Sequence, residues 1–263
     1  MLRRQKVNGC LMSFFHNYSS YGSLALVGSG EYLPVMAGFE KSLFDDGIRD
    51  GKEGRFIQIP TAAGGESEES LNYWKRLGQE QAERIGVEAI FLPIFRREDA
   101  FKEEYVSLIE NTALMYISGG DPEYLAEVLI DTPAWSAIVN NWRSGGSLAG
   151  CSAGAMVLSA QIPRFRESKK ATSLGLNLLS EISVIPHFDK FFSDNPAGIK
   201  KVLLDFPNDS IVIGIDELSG IVKRNGDERW RAFGEGKIHI VKGLPYQELY
   251  DGQEIRLFSQ KFR

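Results

Sequence analysis

Cysteine and histidine are scarce in this chain, with two and three respectively in 263 residues. Cys10 and Cys151 do not make a disulfide framework, and such sparse usage fits a reducing, cytoplasmic setting. Long apolar runs are missing as well. None approaches the ~18 residues that a membrane span needs, so no membrane association is expected. Positive charge is also in short supply, since 30 Lys and Arg face 35 Asp and Glu for a net charge of -5. Lys169–Lys170 and Lys200–Lys201 are short pairs that read as solvated charge. Without a basic face or aromatics interleaved with cations, nucleic acid is excluded as a partner. Internal repeats, low-complexity segments and clear linkers are absent too.

What is present is a chain that is 43% hydrophobic, enough for one large core. Residues 1–22 start with basic residues but lack the apolar segment of a signal peptide, and read as a flexible leader. From residue 23 onward the pattern alternates. Ser23-Leu24-Ala25-Leu26-Val27, 55–60, 87–92, Ala113-Leu114-Met115-Tyr116-Ile117 and Ser147-Leu148-Ala149-Gly150 are short apolar runs bounded by glycine or proline, as buried parallel strands are. Helical spacing separates them at 34–50, 71–85, 105–111, 123–129 and 133–144. This predicts a single α/β domain over 23–263, with a doubly wound, mainly parallel sheet and helices on both faces. The last third differs, with strands at 211–215 and 220–222. Lys237-Ile238-His239-Ile240-Val241 alternates as an edge hairpin would, which predicts a small antiparallel extension with His239 facing solvent.

The chemistry concentrates in Gly150-Cys151-Ser152-Ala153-Gly154, a G-x-S-x-G pattern preceded by an apolar strand and followed by a helical stretch. A serine on a sharp strand-to-helix turn is exposed at the strand's carboxyl end, and small residues two before and two after let the backbone fold back on itself. Cys151 is a rival nucleophile, but glycines do not flank it at those two positions. The turn Gly119-Gly120-Asp121 ends the preceding strand. Its N–H groups can face the same oxyanion as the N–H of Ala153, while Asp121 caps the next helix. Among the histidines, His16 lies in the leader and His187 follows the strand-like run 182–185, where a base can reach Ser152. Asp216 and Glu217 follow the strand 211–215 and are the candidate carboxylates. Gly28-Ser29-Gly30 lacks the third glycine of a dinucleotide site, with Leu33 in its place. It reads instead as active-site rim, with Glu31 facing the crevice.

Taken in order, Ser118-Gly119-Gly120-Asp121, 149–155, Ile185-Pro186-His187-Phe188 and Gly214-Ile215-Asp216-Glu217 resemble the peptidase E (aspartyl dipeptidase) and cyanophycinase family. That family's fold is similar to class I glutamine amidotransferases, with serine replacing cysteine. The resemblance spans about residues 23–245. It implies Ser152 as nucleophile, His187 as general base and Glu217 as third member, with Gly120 and Ala153 donating to the oxyanion. Asp216 and Glu167, fifteen residues after Ser152, are alternates. Asp121 and Glu31 are weaker substrate-binding candidates. Two departures stand out. No arginine follows the histidine in 189–195, only Lys190, and Ile185-Pro186 replaces the Asp-Gln that cyanophycinases carry before His-Phe.

Three functions compete. The first is a serine peptidase or amidohydrolase acting on a small peptide or amide, needing no metal or organic cofactor, and with a homodimer as its expected oligomer. The second is an esterase of α/β-hydrolase order, using Ser152, Asp216 and His239. The third is a non-catalytic binding protein on the same scaffold.

Overall fold

In a computed structural model, residues 21–163, 172–192, 196–208 and 210–257 are described. The first half of the chain alternates as its pattern predicts. β1 (Leu24–Val27) leads through a turn into α1 (Ala37–Arg49), then β2 (Glu53–Ile59), α2 (Glu68–Ile85), β3 (Glu88–Phe91), α3 (Glu103–Ile109) and β4 (Thr112–Ile117). Two helices follow in succession, α4 (Pro122–Leu129) and α5 (Pro133–Arg143), before β5 (Ser147–Cys151) and the five-residue α6 (Ala153–Val157). Local chemistry sets the helix ends. Thr132 caps α5 ahead of Pro133, and Asp121 caps α4 ahead of Pro122. The second helix starts at Glu68 rather than 71, because the Ser67 hydroxyl accepts from Ser70 N–H and converts loop residues into a first turn. Gly86, at φ 71°, ends it.

The remainder builds β6 (Gln161–Pro163), β7 (Thr172–Leu174), β8 (Ile182–Ile185), α7 (Phe188–Phe192), α8 (Pro196–Leu204) and β9 (Ile211–Ile215). Five strands follow among the described residues: β10 (Ser219–Lys223), β11 (Trp230–Gly234), β12 (Ile238–Lys242), β13 (Gln247–Leu249) and β14 (Glu254–Ile255).

The main sheet has eight strands in the order β14-β11-β10-β1-β5-β4-β2-β3. β1, β5, β4, β2 and β3 run parallel, and β10, β11 and β14 extend the sheet antiparallel beyond β1. All six residues of β4 are buried, as a strand covered on both faces requires. Alternation along the strands divides the core. Leu24, Leu26, Met115 and Ile117 pack with Leu125, Leu129 and Ile138 of α4 and α5 on one face. Ala25, Val27, Leu114 and Tyr116 pack with Leu43, Phe44 and Ile85 of α1 and α2 on the other.

The C-terminal third departs from the sequence expectation in one respect. The antiparallel extension is only part of it, because a second, four-stranded sheet forms in the order β13-β12-β9-β8. β12 lies inside that sheet between β9 and β13, and is not an edge. A small aromatic core of Phe188, Phe192, Phe206, Ile185 and Val212 sits against it. Among the described residues, no helix is long and apolar enough to cross a membrane.

Candidate active site

Ser152 stands between β5 and α6 at φ 51° and ψ -113°, a conformation that costs a non-glycine residue of order 1–3 kcal/mol. Tight backbone packing holds it there. A Cβ on Gly150 would come within 2.4 Å of the Gly154 carbonyl oxygen, and one on Gly154 within 2.2 Å of the Ile117 carbonyl oxygen. Both neighbours are backbone and cannot yield, so the two glycines of the pattern are there for close approach. The N–H of Ser152 donates to the Val27 carbonyl at 2.9 Å, which ties the elbow to β1.

The second sheet supplies what the hydroxyl faces. His187 follows β8 and also has a positive φ, 50°. Its carbonyl accepts from Lys190 and Phe191 N–H, turning the chain into α7. Nε2 of His187 lies 2.9 Å from Ser152 Oγ, and Nδ1 lies 3.1 Å from Glu217 Oε1. The His187 and Glu217 side chains are 28% and 35% exposed, so the three groups line an open rim where the two sheets meet. The other oxygen of Glu217, Oε2, is 3.6 Å from Lys190 Nζ, and the Glu217 N–H donates to Asp189. Gly28 explains how the sheets are joined, since a Cβ there would come within 2.2 Å of the Asp216 carbonyl oxygen. The turn after β1 thus holds the loop that carries the acid.

The turn after β4 approaches from the other side. Gly119 is so close that a Cβ on it would lie 3.2 Å from Ser152 Cβ. Among the described residues, neither the N–H of Gly120 nor that of Ala153 has an acceptor in the protein. Asp121 next to them is committed elsewhere, because its carboxylate accepts from Glu123 and Tyr124 N–H as the cap of α4. No group of three or more His, Cys, Asp or Glu suited to a metal occurs among the described residues.

Several expectations are corrected. Cys151 is fully buried, and its thiol donates to Glu31 Oε2 at 2.9 Å. Burial, reinforced by the Glu31 carboxyl, pushes that thiol well above its ordinary pKa, which makes it a poor nucleophile. Glu31 itself is 7% exposed and lies beneath the Gly119 turn, not on the crevice wall. His239 does not face solvent. It is buried, stacked on Phe188 at 4.5 Å, and its Nε2 is 3.0 Å from Asp216 Oδ1. The Asp216–His239 half of the alternative triad therefore exists, but Ser152 is bonded to His187 and not to it. Glu167, Cys10 and His16 lie outside the described residues.

Peptidase family S51 matches residues 24–229 of the chain. The chain belongs to that family. A crystal structure of a peptidase from an acI-B1 Actinobacterium is 55% identical, superposes with a TM-score of 0.86, and covers 91% of this chain and 98% of its own. A candidate peptidase E protein from Listeria monocytogenes is 22% identical with a TM-score of 0.58, covering 82% of this chain and 100% of its own, and speaks for the fold alone. Among curated proteins, a cyanophycinase from Nostoc sp. is 31% identical over 172 residues, 60% of this chain and 55% of the relative. One from Synechococcus elongatus is 28% identical over 166 residues, 60% of this chain and 50% of the relative. The S51 chain thus spans about half the length of the curated relatives it matches.

Proposed function

We propose that this S51 member is a serine peptidase that cleaves a peptide or amide bond in a small peptide, using Ser152, His187 and Glu217. Support rests above all on the continuous contact from hydroxyl to imidazole to carboxylate, 2.9 Å and 3.1 Å long. With Nδ1–H donated to Glu217, Nε2 is the free base, the tautomer that can accept the Ser152 proton. Oγ then bonds to the scissile carbonyl carbon, and the carbonyl electron pair moves onto oxygen. The N–H groups of Gly120 and Ala153 are the donors for that oxyanion. As the C–N bond breaks, the imidazolium returns its proton to the departing amine, and an acyl ester remains on Ser152. Water attacks the ester after giving a proton to His187. The tetrahedral species collapses, the acid product leaves, and Oγ recovers its proton. Every proton is carried by side chains of the triad.

The names of the relatives, peptidase and cyanophycinase, favour a peptide over an ester substrate. Lys190 stands where a bidentate arginine would suit an aspartate side chain, and lysine does not reproduce that fork. A library of dipeptides and β-aspartyl peptides therefore selects the substrate. The catalytic assignment is tested with a fluorophosphonate probe. Wild type becomes labelled and Ser152→Ala does not. Labelling that persists in Ser152→Ala, or moves to Cys151, contradicts it.

A further inference from the structure

The backbone amides of the turn after β4 are engaged in an ordered way. Ser118 N–H donates to the Ile59 carbonyl at 3.1 Å, and Asp121 N–H to the Ala62 carbonyl at 2.9 Å. Gly119 N–H donates at 2.8 Å to the Oε1 atom of Glu31, a residue 88 positions earlier in the chain. Only the Gly120 N–H between them is without an acceptor among the described residues. Of the three anchors, two are carbonyls of the neighbouring backbone. The third is a side chain from another loop.

Glu31 is itself held in place. Its second oxygen accepts the Cys151 thiol at 2.9 Å, so one buried carboxyl bridges the turn and the residue preceding Ser152. The packing is close: a Cβ on Gly119 would lie 2.9 Å from Glu31 Oε1 and 3.7 Å from Ser152 Oγ. Gly119 is buried, so losing its acceptor would strand an N–H out of water's reach. Glycine restricts peptide rotation least of all residues, and φ at Gly120 is already 137°. Rotation of the peptide units around Gly119 is then the easiest way to re-satisfy that donor, and it would redirect the adjoining Gly120 N–H.

We infer that Glu31 is a positioning residue for the oxyanion-binding turn, acting through Gly119 to hold the Gly120 N–H toward the carbonyl under attack. The inference rests on the serine-peptidase reading of the same site. Glu31 touches no reacting atom. It fixes the peptide unit beside the donor, and a displacement of about 1 Å in such a donor can cost on the order of 10²-fold in rate. Glutamine at this position keeps an Oε1 acceptor for Gly119, whereas alanine does not.

The test is the rate at which a fluorophosphonate probe acylates Ser152, because its phosphoryl oxygen occupies the oxyanion position and no substrate need be known. Wild type, Glu31→Ala and Glu31→Gln are compared, each with its thermal midpoint. The expected result is labelling slowed about 10²-fold in Glu31→Ala and restored to within about tenfold of wild type in Glu31→Gln. The ordering of rates should not follow the ordering of thermal midpoints. A folded Glu31→Ala that labels at the wild-type rate overturns the inference and leaves the peptidase reading standing. Glu31→Gln as slow as Glu31→Ala overturns it too, since acceptance from Gly119 is then not what matters. Wild type that never labels overturns the peptidase reading, and the inference with it. If Glu31→Ala does not fold, the glutamine variant decides alone: a rate within about tenfold of wild type supports the inference, and a loss near 10²-fold overturns it.

Discussion

Among the described residues, His187 pairs with Glu217 and His239 with Asp216, two acids adjacent in sequence, and only His187 of these histidines touches the serine. His187 and Glu217 have side chains that are 28% and 35% exposed, whereas those of His239 and Asp216 are 11% and 10% exposed. His239 stacks flat on Phe188 and its partner carboxylate also accepts from Lys237 N–H. It is locked into the second sheet. His187 sits at a positive φ on a turn, with its ring perpendicular to that of Phe191 and its Nε2 toward Ser152. The contrast teaches that contact between a histidine and an acid does not by itself bring the imidazole to the serine. What separates them is strand position: His239 is inside β12, where alternation carries side chains into the fold, while His187 lies past the end of β8, where the chain turns toward the main sheet.

The sharpest way to break this comparison is to remove each imidazole. His187→Ala should lower kcat/KM by about 10⁴- to 10⁶-fold with little change in stability. His239→Ala should keep activity within about tenfold but lose about 1–3 kcal/mol, because the buried Asp216 keeps its Lys237 N–H but loses the imidazole donor at Oδ1. Steady-state kinetics and urea unfolding of both variants check this.

Exchanging the acids comes next. Glu217→Gln should cost about 10²- to 10⁴-fold in kcat by disfavouring the productive tautomer. Asp216→Asn should act mainly on stability, by about 1–3 kcal/mol. Equal kinetic losses in the two variants would erase the distinction.

Glu40, a fully buried carboxylate with no histidine partner, sharpens the contrast. Burial raises Glu40 from 4.5 to about 7, although Tyr32 N–H and Gln81 donate to it. Its folded pKa lies above the unfolded value, so the folded state holds the extra proton. That contribution, about 3 kcal/mol at most, is complete below pH 4.5 and is lost as pH rises through about 7. Unfolding measured between pH 4 and 8 should show the decline in wild type, and Glu40→Gln should lack it.

The smallest effect belongs to Lys190, 62% exposed and 3.6 Å from Glu217. Lys190→Met should change stability by under about 1 kcal/mol and kcat by less than about sixfold. A larger loss confined to KM would make this lysine a substrate contact.

Much of the main sheet is legible in the sequence because its strands are buried on both faces and read as apolar runs ended by glycine. Leu24-Ala25-Leu26-Val27 and Thr112–Ile117 carry no other signal and need none. The elbow is legible for a backbone reason, since only glycine fits against the Gly154 and Ile117 carbonyl oxygens. Residues whose role depends on a distant partner are harder to read. His239 lies between Ile238 and Ile240, which suggests alternation with a wet face, yet all three are buried because Phe188 covers the histidine's side. Glu31 follows a glycine turn and reads as a rim charge. Its burial depends on two donors, Gly119 N–H and the Cys151 thiol, each about ninety or more residues away. Cys151 beside Ser152 looks reactive by type, and only its side of the strand makes it inert.

Peptide mapping by mass spectrometry of the fluorophosphonate adduct in wild type, His187→Ala and His239→Ala tests most directly which histidine serves Ser152. An adduct on Ser152 in wild type and His239→Ala, and none in His187→Ala, is the predicted result. An adduct on Ser152 in His187→Ala that disappears in His239→Ala would contradict it.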